Sequence, residues 1–223
     1  MYGYPIDKTA SPSYSKHSST IEVLGEGTVT ATPNRAVVDL GVVTDGPNLQ
    51  AIQAENAKAI SNIIQSVMSL NIPREKIQTQ DYRIEIVYDY VDGKQIFRGY
   101  KITHLLRITT DHVDQTGKLV DTAVANGANQ VTSIQFTIAH PEFYENQALS
   151  VAIQHARQKA YTIANTLGVT LGAIPSQVQE SPRPAGPIPY MATAKFAASA
   201  VETPIEPGQL TIKAAVRVWF HFA

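Results

Sequence analysis

Between Lys76 and Thr110 apolar and polar side chains alternate in two runs. Tyr82, Ile84, Ile86, Tyr88 and Tyr90 interleave with Arg83, Glu85, Val87 and Asp89, and Tyr100, Ile102, Leu106 and Ile108 with Lys101, Thr103, Leu105 and Arg107. Period two marks strands with one buried face, and the intervening Val91-Asp92-Gly93-Lys94 carries the Asp-Gly pair that favours a tight hairpin. At about 3.3 Å per residue each arm could reach roughly 40 Å, longer than most strands. The expectation is a long antiparallel ribbon with helices to cover it.

The flanking sequence supplies both. Ile21, Val23, Gly25, Gly27 and Val29 alternate as a first strand, and Ala36–Thr44 forms a second, expected to pair antiparallel with the first. Asp45-Gly46-Pro47-Asn48 ends it and offers Asn48 as an N-cap. Leu49, Ile52, Ile60, Ile63, Ile64, Val67 and Met68 then recur at helical spacing as far as about Leu70, where Asn71-Ile72-Pro73 intervenes. A second helix is expected over Asp111–Ala128, burying Val113, Val120, Ala123, Val124 and Ala125, with Leu119 at its edge. Ile134, Phe136 and Ile138 point inward from a further strand. Pro141 opens the longest helix, to about Leu167, with an inner stripe of Ala148, Leu149, Ala152, Ile153, Ala156, Ala160, Ile163, Ala164 and Leu167. Leu171–Glu180 reads as a strand. From Leu210 to Phe222 every second residue is apolar, leaving Trp219, the single tryptophan, on the more polar side. The class is α+β: an antiparallel or mixed β-sheet with about three helices packed on it and a long central hairpin.

Two stretches fall outside this pattern. Residues 1–18 are rich in Ser, Tyr and Pro and read as a flexible N-terminal tail ahead of a domain over 19–223. Residues 181–209 form a Pro/Ala-rich loop or arm, long enough to suggest a function of its own. The first residues show neither a basic start nor an apolar run of signal-peptide length, which favours the cytoplasm. No apolar run is long enough to span a membrane.

The 223 residues carry a formal net charge of −1 and no cysteine. Near-neutrality argues against nucleic-acid binding, and the missing thiols remove disulfides, thiolate metal sites and Cys nucleophiles. Histidines 17, 104, 112, 140, 155 and 221 show no metal-ligand spacing, so surface or packing roles are expected. Gly25-Glu26-Gly27 lacks the third glycine and following helix of a nucleotide loop. Glu85, Asp89 and Asp92 could hold a cation or exchange protons, but fit a solvated strand face better. No catalytic, cofactor or metal residues are assigned. Tyr88, Tyr90, Tyr190, Phe196 and Trp219 have two readings: an interface between subunits, or burial under the folded-back loop.

Taken together, IEVLGEGTVTA (21–31), IQTQDYRIEIVYDY (77–90), Gly99-Tyr100, Ala125-Asn126-Gly127-Ala128-Asn129, ALSVAIQHARQKAYTIANTLG (148–168) and TPIEPGQLTIKAAVRVWF (203–220) resemble the SIMPL-domain family, bacterial proteins of unknown function. The resemblance covers about residues 19–223. It implies no catalytic residues and no cofactor. Similar proteins include a periplasmic antigen that assembles into large ring- or channel-like oligomers and proteins tied to oxidative stress. It therefore implies a homo-oligomer and an extracytoplasmic alternative to the cytoplasm, although the signal peptide many relatives carry is not seen here. Three functional expectations follow: a self-assembling structural protein, a binding module for a small or peptide ligand whose identity is unknown, and an enzyme, for which no nucleophile–base pair speaks.

Overall fold

In the computed structural model the chain is described at residues 19–182, 188–190 and 203–223, with side chains left out of account at 188–190. The expected tail 1–18, and most of the Pro/Ala stretch with Tyr190 and Phe196 as side chains, lie outside the described residues. The elements run β1 (Thr20–Ala31), β2 (Arg35–Gly46), α1 (Leu49–Met68), β3 (Ile77–Val91), β4 (Lys94–Thr110), α2 (Thr116–Ala125), β5 (Gln130–Thr137), α3 (Glu142–Leu167), β6 (Leu171–Glu180), β7 (Ile188–Tyr190) and β8 (Gln209–Phe222). The class is α+β, as the alternations and helical spacings indicate.

The strands build two antiparallel sheets. One has the order β1-β8-β6, with short β7 also on β8; the other has the order β3-β4-β2-β5. By packing density the chain divides into two units. The first comprises Met1–Gly27, Leu149–Arg183 and Ala214–Ala223, and the second Thr28–Ala148 and Pro184–Lys213.

The second unit has the larger core. Val38, Leu40 and Val42 of β2 and Leu106 and Ile108 of β4 lie under Ile60, Ile63 and Val67 of α1 and Leu119, Val120 and Ala123 of α2. Asn48 caps α1, its Oδ1 accepting from the Ala51 amide at 3.1 Å. The 20 residues of this amphipathic helix need such burial, since propensity alone does not hold them. Asn56 sits buried inside the apolar stripe of α1 and donates to the Val42 carbonyl and to Thr44 Oγ1, both at 3.3 Å. The face of α2 is rotated from the expected one: Leu119 is fully buried and Val124 is half exposed. The chain makes a 3₁₀ turn at Val113–Gln115 before α2 begins, which shifts the helical phase.

Strand β2 does not pair with β1 as the sequence suggested. Its neighbours are β4 and β5. Asn34 explains the choice: its amide donates to the Thr137 carbonyl and its Oδ1 accepts from the Ala139 amide, fixing the chain onto the β5 side. Pro33, lacking an amide proton, cannot extend the β1 ladder in the meantime.

In the first unit α3 packs through small residues. Ala152, Ala156, Ala160 and Ala164 are essentially fully buried, whereas Ile153, Ile163 and Leu167, expected in the same stripe, are exposed. Residues four apart align on one face of a helix, and alanine there lets the backbone approach closely. It does so at Gly25, where a Cβ would fall on the Ala152 carbonyl and the Ala156 side chain. Polar groups of α3 also meet the outer edge of β1. Lys159 Nζ donates to the Leu24 carbonyl at 2.8 Å, and His155 Nδ1 lies 3.2 Å from the Glu26 amide and 3.0 Å from its carbonyl.

Candidate interaction surface on the ribbon

The hairpin forms where the alternation places it. Asp92 and Gly93 have φ of 52° and 75°, the left-handed pair that a two-residue turn between right-twisted strands requires. Val91 lies opposite Lys94, and the ladder continues to Ile77 opposite Ile108. Residues facing each other across an antiparallel ladder share a face. Tyr82 thus shares a face with His104, Ile84 with Ile102, Ile86 with Tyr100 and Tyr88 with Phe97. On β4 the same face carries Leu106 and Ile108, the core residues under the helices.

Cover ends before the face does. Gln53, one turn into α1, reaches the Tyr82 hydroxyl at 3.4 Å. Strand β2 stops at Gly46, opposite Tyr100. A Cβ at Gly99 would stand 2.6 Å from the Gly46 carbonyl, so the two backbones meet there without room for a side chain. Beyond this point the ribbon has only two strands. Tyr82, Ile84, Ile86, Tyr88 and Tyr90 are 40–75% exposed, and Ile96 and Phe97 about half. Rings meet edge to face at Tyr82–His104, Tyr88–Phe97 and Phe97–Tyr100. A two-stranded ribbon is marginal in water by itself, so a tip of this composition gains from further cover.

The other face of the ribbon carries its charges, with Val87, Val91 and Ile96 among them. Arg83 stands 3.6 Å from Asp81 and 3.7 Å from Glu85, and Arg98 3.8 Å from Asp89, all well exposed. Each carboxylate proposed from sequence therefore faces a guanidinium rather than another carboxylate, except Asp92, which serves the turn. No group of His, Asp and Glu with metal-binding geometry occurs among the described residues. Of the histidines, His104 is on the ribbon, beneath Tyr82, and burial lowers its pKa. Trp219 is half-buried on β8, a strand of the other sheet from Tyr88 and Tyr90.

A shallow cleft of about 440 Å³ opens at the foot of the two-stranded part, between Asp45, Pro47, Val87, Arg98, Tyr100 and Lys101. Neither Phe97 nor the grouping of these cleft residues is singled out by the alternation. Counting outward from Asp92-Gly93 would have placed Phe97 opposite Tyr88. The cleft had no such signal, because it depends on where β2 stops.

These features define an α+β protein with a long hairpin whose outer part is two-stranded and bears exposed apolar side chains. The chain matches, over residues 21–220, the family described as SIMPL, protein of unknown function (DUF541), and it belongs to that family. It is 28% identical over 210 residues to the 26 kDa periplasmic immunogenic protein of Brucella melitensis, covering 90% of this chain and 84% of that one. It is 31% identical over 144 residues to the uncharacterized protein YggE of Escherichia coli K12, covering 62% and 58%. It is 25% identical over 151 residues to YggE of Edwardsiella ictaluri, covering 67% and 63%. No helix among the described residues is long and apolar enough to cross a membrane.

Proposed function

We propose that the protein is a non-enzymatic, self-associating structural or interaction protein, and that the apolar face of the ribbon is a contact surface between its copies. One observation carries this: the face that α1 and α2 cover near Leu106 and Ile108 continues uncovered through Ile84, Ile86, Tyr88 and Phe97. Burying such side chains contributes about 1.5–3 kcal/mol each when complete, so a few of them can sustain association. The non-enzymatic part rests on the chemistry of the surface itself, whose exposed members Ile84, Ile86, Tyr88 and Phe97 are apolar and aromatic side chains suited to contact. The Pro/Ala stretch 181–209 is the second contact this reading expects, and most of it lies outside the described residues. We place the protein outside the cytoplasm, supported by the word periplasmic in the name of the Brucella relative.

Sedimentation velocity over a range of micromolar concentrations tests the reading. Wild type should form a concentration-dependent assembly, and Tyr88→Asp should shift it towards monomer without loss of circular dichroism. A strict monomer at these concentrations would overturn the proposal.

The cleft favours a second reading, a binding module. Arg98 and Lys101 on one side and Asp45 on the other suit a small ligand carrying both signs of charge. Isothermal titration with free amino acids and short peptides, against Lys101→Ala, would decide it.

A further inference from the structure

Strand β3 is the outermost strand of its sheet. Among the described residues it packs extensively against β4 alone. A two-residue turn makes its flanking pair, Val91 and Lys94, a hydrogen-bonded pair, and such pairs then alternate along the ladder. The inserted residue near the tip, Arg98, is on β4, so the alternation on β3 runs undisturbed from Val91 back to Asp81. The amides and carbonyls of Tyr82, Ile84, Ile86, Tyr88 and Tyr90 therefore point away from β4. The residues with exposed apolar side chains are also those with outward-facing backbone.

A long edge of this kind is a template for another strand unless something blocks it. Proline, an inward-pointing charge and a covering helix are the usual blocks. Between Asp81 and Val91 the strand has no proline, and its charges lie on the solvated face.

The charges also discriminate between registers. In an antiparallel pairing of β3 with β3 of a second copy, a register centred on Glu85 sets Glu85 against itself. One centred on Arg83 sets two guanidinium groups together. Like charges directly opposite are unfavourable. A register centred on Ile84 runs into the irregularity at Gln80, where the β3 ladder shifts. A register centred on Ile86 avoids all three. It places Arg83 opposite Asp89 twice, Tyr82 opposite Tyr90, and Ile84 opposite Tyr88, and uses the whole undisturbed stretch. About ten new main-chain hydrogen bonds would form.

We propose that two copies join edge to edge through β3, antiparallel and centred on Ile86, with Arg83 of each copy paired to Asp89 of the other, merging two four-stranded sheets into one. This rests on the self-association proposed above and names the backbone contact within it. The occupant is a second copy because the strand's charge order is complementary to itself when reversed.

The test separates edge pairing from burial of the apolar face. Ile86→Thr keeps the amide and shortens the apolar side chain; Ile86→Pro removes the amide as well. With the full-length chain in sedimentation velocity, Ile86→Pro should associate about thirtyfold more weakly than Ile86→Thr, two hydrogen bonds being lost at the centre. Arg83→Glu and Asp89→Arg should each associate poorly alone, and an equimolar mixture of the two should recover the complex. Should Ile86→Pro fail to fold, the mixture still decides. Equal weakening by both Ile86 variants, or a mixture no stronger than its components, overturns the edge pairing and leaves association through the apolar face standing. A wild type that never associates overturns both.

Discussion

Strands β1 and β3 each lie at the edge of a sheet, and the chain treats the two edges in opposite ways. Along β1, α3 brings an ammonium to the Leu24 carbonyl and an imidazole to the amide and carbonyl of Glu26, two residues on. Close approach makes this possible, with Gly25 on the strand and alanines every fourth residue on the helix. Along β3 the Arg74 guanidinium meets the Ile77 carbonyl at the base of the strand, at 2.6 Å, but among the described residues no helix does the same from Tyr82 to Tyr90. The difference lies in the residues presented: a guarded edge needs small side chains where the guard lies down, and β3 presents tyrosine and isoleucine instead. A strand whose outward backbone is left bare beside large apolar side chains is suited to joining another strand.

Four experiments sharpen the contrast. The largest effect is expected from Gly25→Val, which sets a branched side chain against the Ala152 carbonyl. A loss of about 3 kcal/mol or more in urea unfolding should follow, from overpacking at a backbone contact. Gly93→Ala, at positive φ but in open space, should cost only about 1 kcal/mol. Next comes His155→Ala with Lys159→Ala, which strips the guard from β1. The combined loss should be about 1–2 kcal/mol, and hydrogen exchange at the Glu26 amide should quicken.

Acid should act on the base of the ribbon more gently. Burial holds the His104 pKa below its ordinary value near 6.5, so the unfolded chain takes up a proton there more readily than the folded one. That contribution is complete above the unfolded value and declines as the pH falls towards the folded one. Unfolding midpoints measured between pH 8 and pH 5 should show the decline (~pH 6.5 downwards), and His104→Phe should flatten it. Asp111, held below the usual carboxylate range by the Arg35 guanidinium at 2.7 Å, gives the same sign at lower pH. The smallest effect belongs to Ile84→Pro in β3. Because that amide faces outward, the monomer should lose under about 1 kcal/mol, as edge strands tolerate proline on their solvent side. A large loss would mean that the amide is engaged within the chain.

Much of the fold was legible because alternation reports directly on burial. The even positions of β8 from Leu210 to Phe220 and the turn at Asp92-Gly93 follow the sequence residue by residue. What alternation cannot report is which strand lies alongside. The separation of β1 from β2 depends on two hydrogen bonds of Asn34, a residue that also reads as an ordinary turn former. The buried stripe on α3 is narrower than hydropathy indicates, because isoleucine and leucine outweigh alanine on any hydropathy count, while close approach to a strand selects the smaller side chain. On the ribbon, the sequence marked Tyr88 and Tyr90 as an apolar continuation. It could not say where α1 and β2 would end, and that decides how much of the face is left to water.

Asn129 shows how such an ending can be made. Pairing of β5 with β2 stops at Gln130 opposite Gly41, and the side-chain amide of Asn129 then accepts from the Val43 amide and donates to its carbonyl, both at 2.8 Å. A carboxamide has the same donor and acceptor as a peptide group, so this one side chain finishes the row that the main chain leaves. Asp at the same position could accept but not donate, and alanine could do neither. The boundary of the sheet at this corner is thus written in a single residue, and changing it would open a new place for a foreign strand to attach.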